Sequence, residues 1–189
     1  ESFYDNDILP SAFFKKNRDA LRQQLPSNSV AIFFTNPIRN RSNDVDYEYH
    51  QDPNFYYLTG LTEPHAVILI FKEEQRFNNF TTDEIIFLQD KDLKNEMWTG
   101  KRLGINGAIK DLGITKAMQN TDFLSFESNL KEFDKIYTYN IREDVNNHAD
   151  KGDLYGLIQS YQLKTEKLTN TDKEELAHMM AKLREVKTV

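Results

Sequence analysis

The sequence of 189 residues predicts a single α/β domain in which a sheet is layered with helices. Segments with strand character alternate with segments of helical periodicity, and no internal repeat or linker-like stretch divides the chain. One segment, "AVILIFK" (residues 66–72), is a continuous apolar run of strand length. Such a run is typical of a strand that is covered on both faces of its sheet.

Spacing and flanking residues predict the individual elements. Apolar residues recur at near-helical spacing after a Pro-Ser start and predict a first helix at residues 9–25. Short β-branched, aromatic or apolar runs between polar turns predict four strands, at residues 29–35, 66–72, 83–89 and 135–140. The polar segment 36–46 is predicted as a loop. Further helices are predicted at residues 93–100, within 105–112, at 125–133 and at 153–162.

The last segment, "LTNTDKEELAHMMAKLREVKTV", predicts a helix with Thr171 as its N-cap and Glu174 completing a capping box. Its apolar residues share one face, namely Leu176, Met179, Met180 and Leu183. The helical pattern runs to the last residue without a Gly or Pro stop, so we expect the natural protein to continue.

Composition excludes several classes of protein. The net charge of −6 argues against generic binding to nucleic acid or to an anionic membrane, because both depend on clustered Lys and Arg. No apolar run approaches the roughly 20 residues needed to span a bilayer. The first ten residues, "ESFYDNDILP", show no signal-peptide pattern. The absence of cysteine removes disulfides, thiolate metal sites and thiol catalysis, and it is compatible with a cytoplasmic protein.

A search for catalytic motifs predicts no active site within this chain. The four histidines are well separated in sequence, and no HExxH, GxGxxG, GxSxG or phosphate-loop pattern occurs. Glu175 and His178 form one ExxH step, but a carboxylate-bridged metal site needs a second such helix. A calcium-loop-like stretch starts at Asp44, yet Tyr49 and Phe55 occupy the places of its required Gly and Glu.

Two stretches remain unusual. The first, "YEYHQDPNFYYLTGLTEP" (residues 47–64), predicts a half-exposed extended segment, then a turn or short helix at Asp52-Pro53, then core aromatics and a turn at Gly60. The second, "KDLKNEMWTGKRLG", holds the only tryptophan, Trp98. A lone Trp is usually a core residue, but Trp98 has polar neighbours on both sides, which favours an interface anchor.

At these stretches the sequence resembles the N-terminal domain of Xaa-Pro aminopeptidases (aminopeptidase P, of the creatinase/prolidase superfamily). The matching elements are "RSNDVDYEYHQDPNFYYLTGLTEPHAVILIF", "DKDLKNEMWTGKRLG" and the closing "ELAHMMAKLREVKT". The resemblance implies a three-layer ribonuclease-H-like domain, with a mixed sheet between helices, over residues 1–170. It also implies that residues 171–189 form a helix that leads, through Arg184 and Lys187, toward a "pita-bread" catalytic domain absent from this chain.

The resemblance further implies a function. Family enzymes release the N-terminal residue before a proline, using two divalent ions, usually manganese, held by carboxylates and a His of the catalytic domain. This chain alone is therefore expected to be inactive. Its implied role is to form oligomer contacts and to wall the substrate cleft, with Trp98 and Arg102 at the matching W-x-G-[KR]-R element. The implied partners are the catalytic domain, further copies in a dimer or tetramer, and proline-containing peptides.

Two other functions stay open on the sequence. One is an inactive, peptidase-like module that binds peptides or proteins, which the gene sequence beyond Val189 would distinguish from a peptidase. The other is a ribonuclease-H-like nuclease, which needs clustered carboxylates to hold two magnesium ions. The strand cores "VAIFF" and "AVILIF" carry no Asp or Glu, which disfavours the nuclease.

Overall fold

A mixed β-sheet lies between two layers of helices in the computed structural model, which describes residues 9–42, 45–139, 141–142, 144–147 and 150–185. Six strands form the main sheet, in the order β6-β5-β4-β1-β7-β8, and two short strands form a separate hairpin, β2-β3. In chain order the strands are β1 (Ser29–Phe34), β2 (Asn40–Ser42), β3 (Val45–Asp46), β4 (Val67–Arg76), β5 (Thr81–Leu88), β6 (Ala117–Gln119), β7 (Lys135–Thr138) and β8 (Thr171–Asp172).

The helices cover both faces of the sheet. They are α1 (Ser11–Gln24), α2 (Pro53–Thr59), α3 (Leu93–Thr99), α4 (Gly104–Leu112), α5 (Leu154–Thr165) and α6 (Glu175–Glu185). Residues of α1, α2, α4 and α6 enter one apolar core, and residues of α5 enter the other, together with the 3-10 turns Asn120–Leu124 and Leu130–Glu132. This arrangement confirms the predicted α/β fold with a mixed sheet flanked by helices.

The central strands combine both pairing directions. β1 pairs antiparallel with β4, and β4 pairs antiparallel with β5. β1 pairs in parallel with β7, β7 with β8, and β5 with β6. The parallel pairs need long connections, and α5 supplies the connection between β7 and β8.

The sequence of strand β4 is apolar without alternation because both faces of the strand are buried. Ile68 and Ile70 belong to the core on one face, whereas Val67, Leu69 and Phe71 belong to the core on the other. All five side chains are fully buried. Burying each such side chain stabilises the fold by roughly 1.5–3 kcal/mol relative to exposure, so both cores depend on this strand.

The aromatic stretch forms α2 and its approach. Asp52 caps the helix, because its Oδ1 accepts the backbone N–H groups of Asn54 and Phe55 at 2.9 and 3.0 Å. Gly60 ends the helix in the left-handed conformation, with φ of +73°. Phe55 and Leu58 are fully buried as predicted, but Tyr56 and Tyr57 are only half-buried.

Two predictions of local structure are wrong. Residues 36–46 do not form a simple loop, because they include the hairpin β2-β3. Residues 125–133 do not form a helix; only the 3-10 turn Leu130–Glu132 occurs there. Asn129, in the left-handed conformation, interrupts that segment.

The start of α6 also differs from the prediction. Thr171 pairs with Ile136 in β8, and the hydrogen bonds that cap α6 are made by the next residue instead. Asp172 takes the capping role, since its Oδ1 accepts the N–H groups of Glu174 and Glu175 at 3.0 and 2.9 Å. The predicted apolar face is correct: Leu176, Met180 and Leu183 are buried, and Met179 packs against the same core.

A charged cluster inside the fold joins α1 to the sheet and to the ends of two helices. The guanidinium of Arg18, which has no solvent exposure, donates to Glu84 Oε2 at 2.8 Å, to the Leu58 carbonyl at 2.9 Å and to the Gly113 carbonyl at 2.8 Å. Arg22 donates to the same Glu84 oxygen at 3.1 Å. The other Glu84 oxygen accepts the Thr115 N–H at 3.1 Å, so the buried carboxylate is fully hydrogen-bonded.

Candidate functional site

Helix α3 carries an exposed apolar surface. Leu93, Met97 and Trp98, which we call the α3 patch, are 81%, 82% and 89% exposed. None of the seven residues of α3, all of which the structure describes, is buried. Large apolar side chains grouped in this way on a polar surface are typical of a binding surface.

The start of α3 is fixed by a reciprocal cap. Asp92 Oδ1 accepts the N–H groups of Lys94 and Asn95 at 3.1 and 3.2 Å, and Glu96 Oε1 accepts the Asp92 N–H at 2.9 Å. The Asn95 and Lys94 N–H groups lower the pKa of Asp92 from its usual value, with the Asn95 bond contributing most. The helix therefore forms from local hydrogen bonds rather than from packing.

The segment after α3 turns back into the domain. Arg102 is half-buried; its NH1 group donates to the Asp90 carbonyl at 3.4 Å, and its Nε has no hydrogen-bond partner among the described residues. The next backbone N–H, of Leu103, donates to Glu63 Oε1 at 2.6 Å. Leu103 itself is buried in the core. Trp98 and Arg102 thus lie in contrasting settings, one exposed and one half-buried.

Glu63 has an unusual environment. Burial raises the pKa of its carboxyl to about 7, opposed by the Leu103 N–H and the Arg102 charge and aided by the Glu96 charge. Its Oε2 is buried without a hydrogen-bond partner among the described residues. No sequence pattern singles out Glu63, because its partner, the Leu103 N–H, lies 40 residues away in the chain.

A polar cleft of about 910 Å³ opens beside α3. Its lining includes Asp90, Arg102, His65 and Asn120. His65 is in the left-handed conformation, and its Nδ1 accepts the Leu154 N–H at 3.0 Å while its carbonyl accepts the Asn120 side-chain amide at 3.1 Å. His65 therefore joins the loop before β4 to the start of α5.

The other described histidines do not line this cleft. His50 and His178 are exposed, and His148 lies outside the described residues. Within the described part of the chain, no three His, Asp or Glu side chains are grouped so as to hold a metal ion. Among the described helices, none is long and apolar enough to cross a bilayer.

The fold and this surface define a three-layer α/β domain with a mixed sheet and an exposed apolar helix. The family described as "Aminopeptidase P, N-terminal domain" matches residues 14–137, a range that includes strands β1 to β6, helices α2 and α3, and Arg102. The chain therefore belongs to the aminopeptidase P N-terminal domain family, as its sequence motifs predicted.

Curated relatives carry peptidase names. The chain is 36% identical over 105 residues to Xaa-Pro aminopeptidase of Escherichia coli, covering 56% of this chain and 23% of that protein. It is 41% identical over 91 residues to intermediate cleaving peptidase 55 of Schizosaccharomyces pombe, covering 48% of this chain and 18% of that protein. The chain thus matches less than a quarter of the length of either relative.

Solved structures share the fold. A structure of Escherichia coli aminopeptidase P in complex with substrate aligns over 84% of this chain and 34% of that one, with a TM-score of 0.65 and 28% sequence identity. A zinc-substituted form of the same enzyme in complex with product aligns over the same shares, with a TM-score of 0.64 and 27% identity.

Proposed function

We propose that this chain is the non-catalytic N-terminal domain of a metal-dependent Xaa-Pro aminopeptidase. Its relatives include Xaa-Pro aminopeptidases, and the matched region is 23% and 26% of the length of two of them. Hydrolysis of the bond before proline then belongs to a catalytic domain outside this sequence, and two manganese ions would supply the activated hydroxide there. Within the described part of the chain no three His, Asp or Glu side chains are grouped to hold such ions, and we assign the metal ligands to that catalytic domain.

The role of this domain is to form contacts between copies of the enzyme and to restrict access to the substrate cleft. The observation that carries this proposal is the 89% exposure of Trp98 within the family-matched region. An indole that packs against neither core of its own domain is available to a partner surface, and Trp is enriched among residues that dominate binding energy. Arg102 contributes from the segment after α3, where it donates a hydrogen bond to the Asp90 carbonyl.

The partners that follow are the catalytic domain of the same chain, further copies in a dimer or tetramer, and proline-containing peptides. We assign the protein to the cytoplasm, with which its lack of cysteine is compatible. We give it no role with nucleic acid or membrane, in keeping with its net charge of −6. We also assign residues 171–189, which include α6, to the connection with the catalytic domain.

The test is Trp98→Ala in the full-length enzyme, with Leu163→Ala as the matched control. Leu163 is 73% exposed and lies on a different helix, α5. We expect the ratio of kcat/KM for short and long proline-containing peptides to change by at least about tenfold in Trp98→Ala and to stay constant in the control. Equal loss for both peptide lengths would contradict the cleft assignment.

An inactive binding module is the second candidate, because the α3 patch suits a protein partner equally well. The gene sequence beyond Val189 separates the two candidates. An intact series of Asp, Asp, His, Glu and Glu ligands supports the peptidase, whereas a degraded series or a stop codon supports the module.

A further inference from the structure

One side chain joins the segment that follows α3 to the rest of the domain. Glu63, in the loop between α2 and β4, accepts the Leu103 N–H on Oε1 at 2.6 Å. The Glu63 backbone carbonyl accepts the Gln51 side-chain amide at 2.9 Å, which fixes Glu63 to the segment before α2. Glu63 therefore ties the segment that leaves α3 to the segment that precedes α2.

Arg102 and Asp90 close the base of the same loop. Arg102 NH1 donates to the Asp90 carbonyl at 3.4 Å, and Asp90 Oδ1 accepts the N–H groups of Lys91 and Ile105 at 2.9 and 3.3 Å. The segments entering and leaving α3 thus meet at one place. Because α3 contributes no buried residue of its own, its orientation depends on this base.

We propose that Glu63 is the positioning residue for Trp98, acting through Leu103 and Arg102 to set the direction in which α3 presents its indole. The part of this inference that concerns peptide length rests on the proposed function of Trp98. The part that concerns the orientation of α3 stands on the hydrogen bonds and burial of this domain alone.

The hydrogen bond between the Leu103 N–H and the Glu63 carboxyl should respond to pH in the neutral range. Burial favours the neutral acid form of Glu63 most strongly, and the charge of Glu96 acts in the same direction. The other groups that face the carboxyl, the Leu103 N–H and the Arg102 guanidinium, favour the carboxylate. The balance raises the pKa of Glu63 to about 7. A carboxylate accepts a stronger hydrogen bond than a neutral acid, so the Leu103 amide proton should move downfield as pH rises.

Two-dimensional NMR of this chain between pH 5.5 and 8.5 tests the proposal directly. The chain has one tryptophan, so the Trp98 indole N–H gives a single signal. We expect the Leu103 amide and the Trp98 indole to titrate together with a midpoint near the Glu63 pKa of about 7. Neither should titrate in Glu63→Gln. Glu166→Gln, which removes an exposed carboxylate at the end of α5, should leave both titrations unchanged.

A second variant keeps the test decisive if Glu63→Gln fails to fold. Arg102→Gln removes a charge that lowers the Glu63 pKa, so the Leu103 midpoint should rise by about half a unit or more. An unchanged midpoint would overturn the coupling between Arg102 and Glu63. Titration of Leu103 without any response at Trp98 would reduce Glu63 to a structural anchor and overturn the positioning role.

Peptide-length discrimination in the full-length enzyme separates this inference from the proposed function. If Trp98 restricts the cleft, Glu63→Gln should shift the short-to-long ratio of kcat/KM in the same direction as Trp98→Ala. The shift should be smaller, about threefold, because the indole remains. If the NMR result holds but neither variant changes the ratio, the function of Trp98 fails while its positioning by Glu63 stands. If Trp98→Ala changes the ratio and Glu63→Gln does not, the positioning has no functional role and that part of the inference fails.

Discussion

Arg18→Met tests the buried charged cluster that links α1 to the sheet. Methionine keeps most of the side-chain length but removes the three hydrogen bonds to Glu84, Leu58 and Gly113. Removing one partner of a buried ion pair costs about 3–5 kcal/mol, because the remaining charge stays desolvated. Two carbonyl oxygens also lose a charged donor. Arg22 still donates to Glu84, but it replaces only part of the positive charge that Arg18 supplied. We therefore expect the free energy of unfolding to fall by about 3–5 kcal/mol.

The matched control is Lys15→Met on the same helix. Lys15 pairs with Asp19 at 2.8 Å, but the two side chains are 58% and 41% exposed, so this pair should contribute less than about 1 kcal/mol. Urea unfolding followed by far-ultraviolet circular dichroism measures both variants. Tryptophan fluorescence is a poor reporter here, because Trp98 is already exposed in the folded state.

Two outcomes would refute this reasoning. One is that Arg18→Met lowers the free energy of unfolding by an amount within about 1 kcal/mol of the Lys15→Met control, which would mean that the cluster barely stabilises the fold. The other is simple additivity in the double variant Arg18→Met with Glu84→Gln. Residues in direct hydrogen-bond contact should show a coupling energy of about 0.5–3 kcal/mol, because each single variant leaves its partner uncompensated.

The remaining predictions concern stability. The folded-state pKa of Glu63, about 7, lies above its ordinary value of 4.5. The contribution of Glu63 to the free energy of unfolding is therefore fully present below pH 4.5 and is lost as pH rises through 7. This loss, at most about 3 kcal/mol, should vanish from unfolding curves of Glu63→Gln measured across that range. Gly60→Ala should lower the unfolding free energy by about 2–4 kcal/mol, because a Cβ would meet a buried phenylalanine ring at 2.5 Å with φ at +73°. Gly113→Ala, with its nearest contact at 3.3 Å, should cost only about 1–2 kcal/mol, and equal melting temperatures for the two would count against this account. Asp172→Ala should cost about 1 kcal/mol by removing the α6 cap, whereas a larger loss in Thr171→Ala would restore Thr171 to that role.

Elements with strong local signals were predictable from the sequence. The apolar run at residues 66–72 indicated a strand buried on both faces, and β4 is that strand. Asp52-Pro53 predicted a turn or a short helix, and the structure has the helix, α2, with Asp52 as its cap and Pro53 at its start. The short strands β6 and β8 were missed because two or three residues hold too little periodicity, and their pairing partners decide their conformation.

In the candidate site, one residue was predictable from the sequence and another was not. Trp98 stood out because its neighbours in sequence are polar, and it lies on the surface of α3. Its direct role in substrate selection stays a prediction. The sequence did not indicate a special role for Glu63, because a Glu-Pro pair predicts only an ordinary turn. Its significance comes from the Leu103 N–H that reaches it across 40 residues, and no local pattern records that contact.

The parallel pairing of β1 with β7 has a consequence for how the chain acquires its fold. Ser29 lies opposite Lys135, so this pairing closes a loop of more than a hundred residues, whereas β1, β4 and β5 are joined by connections within residues 29–88. During synthesis on the ribosome, the antiparallel half of the sheet can assemble while the β7 strand is still being made. Until β7 arrives, the backbone groups along one side of β1 have no partner, and that open edge is where we expect the nascent chain to need protection from aggregation.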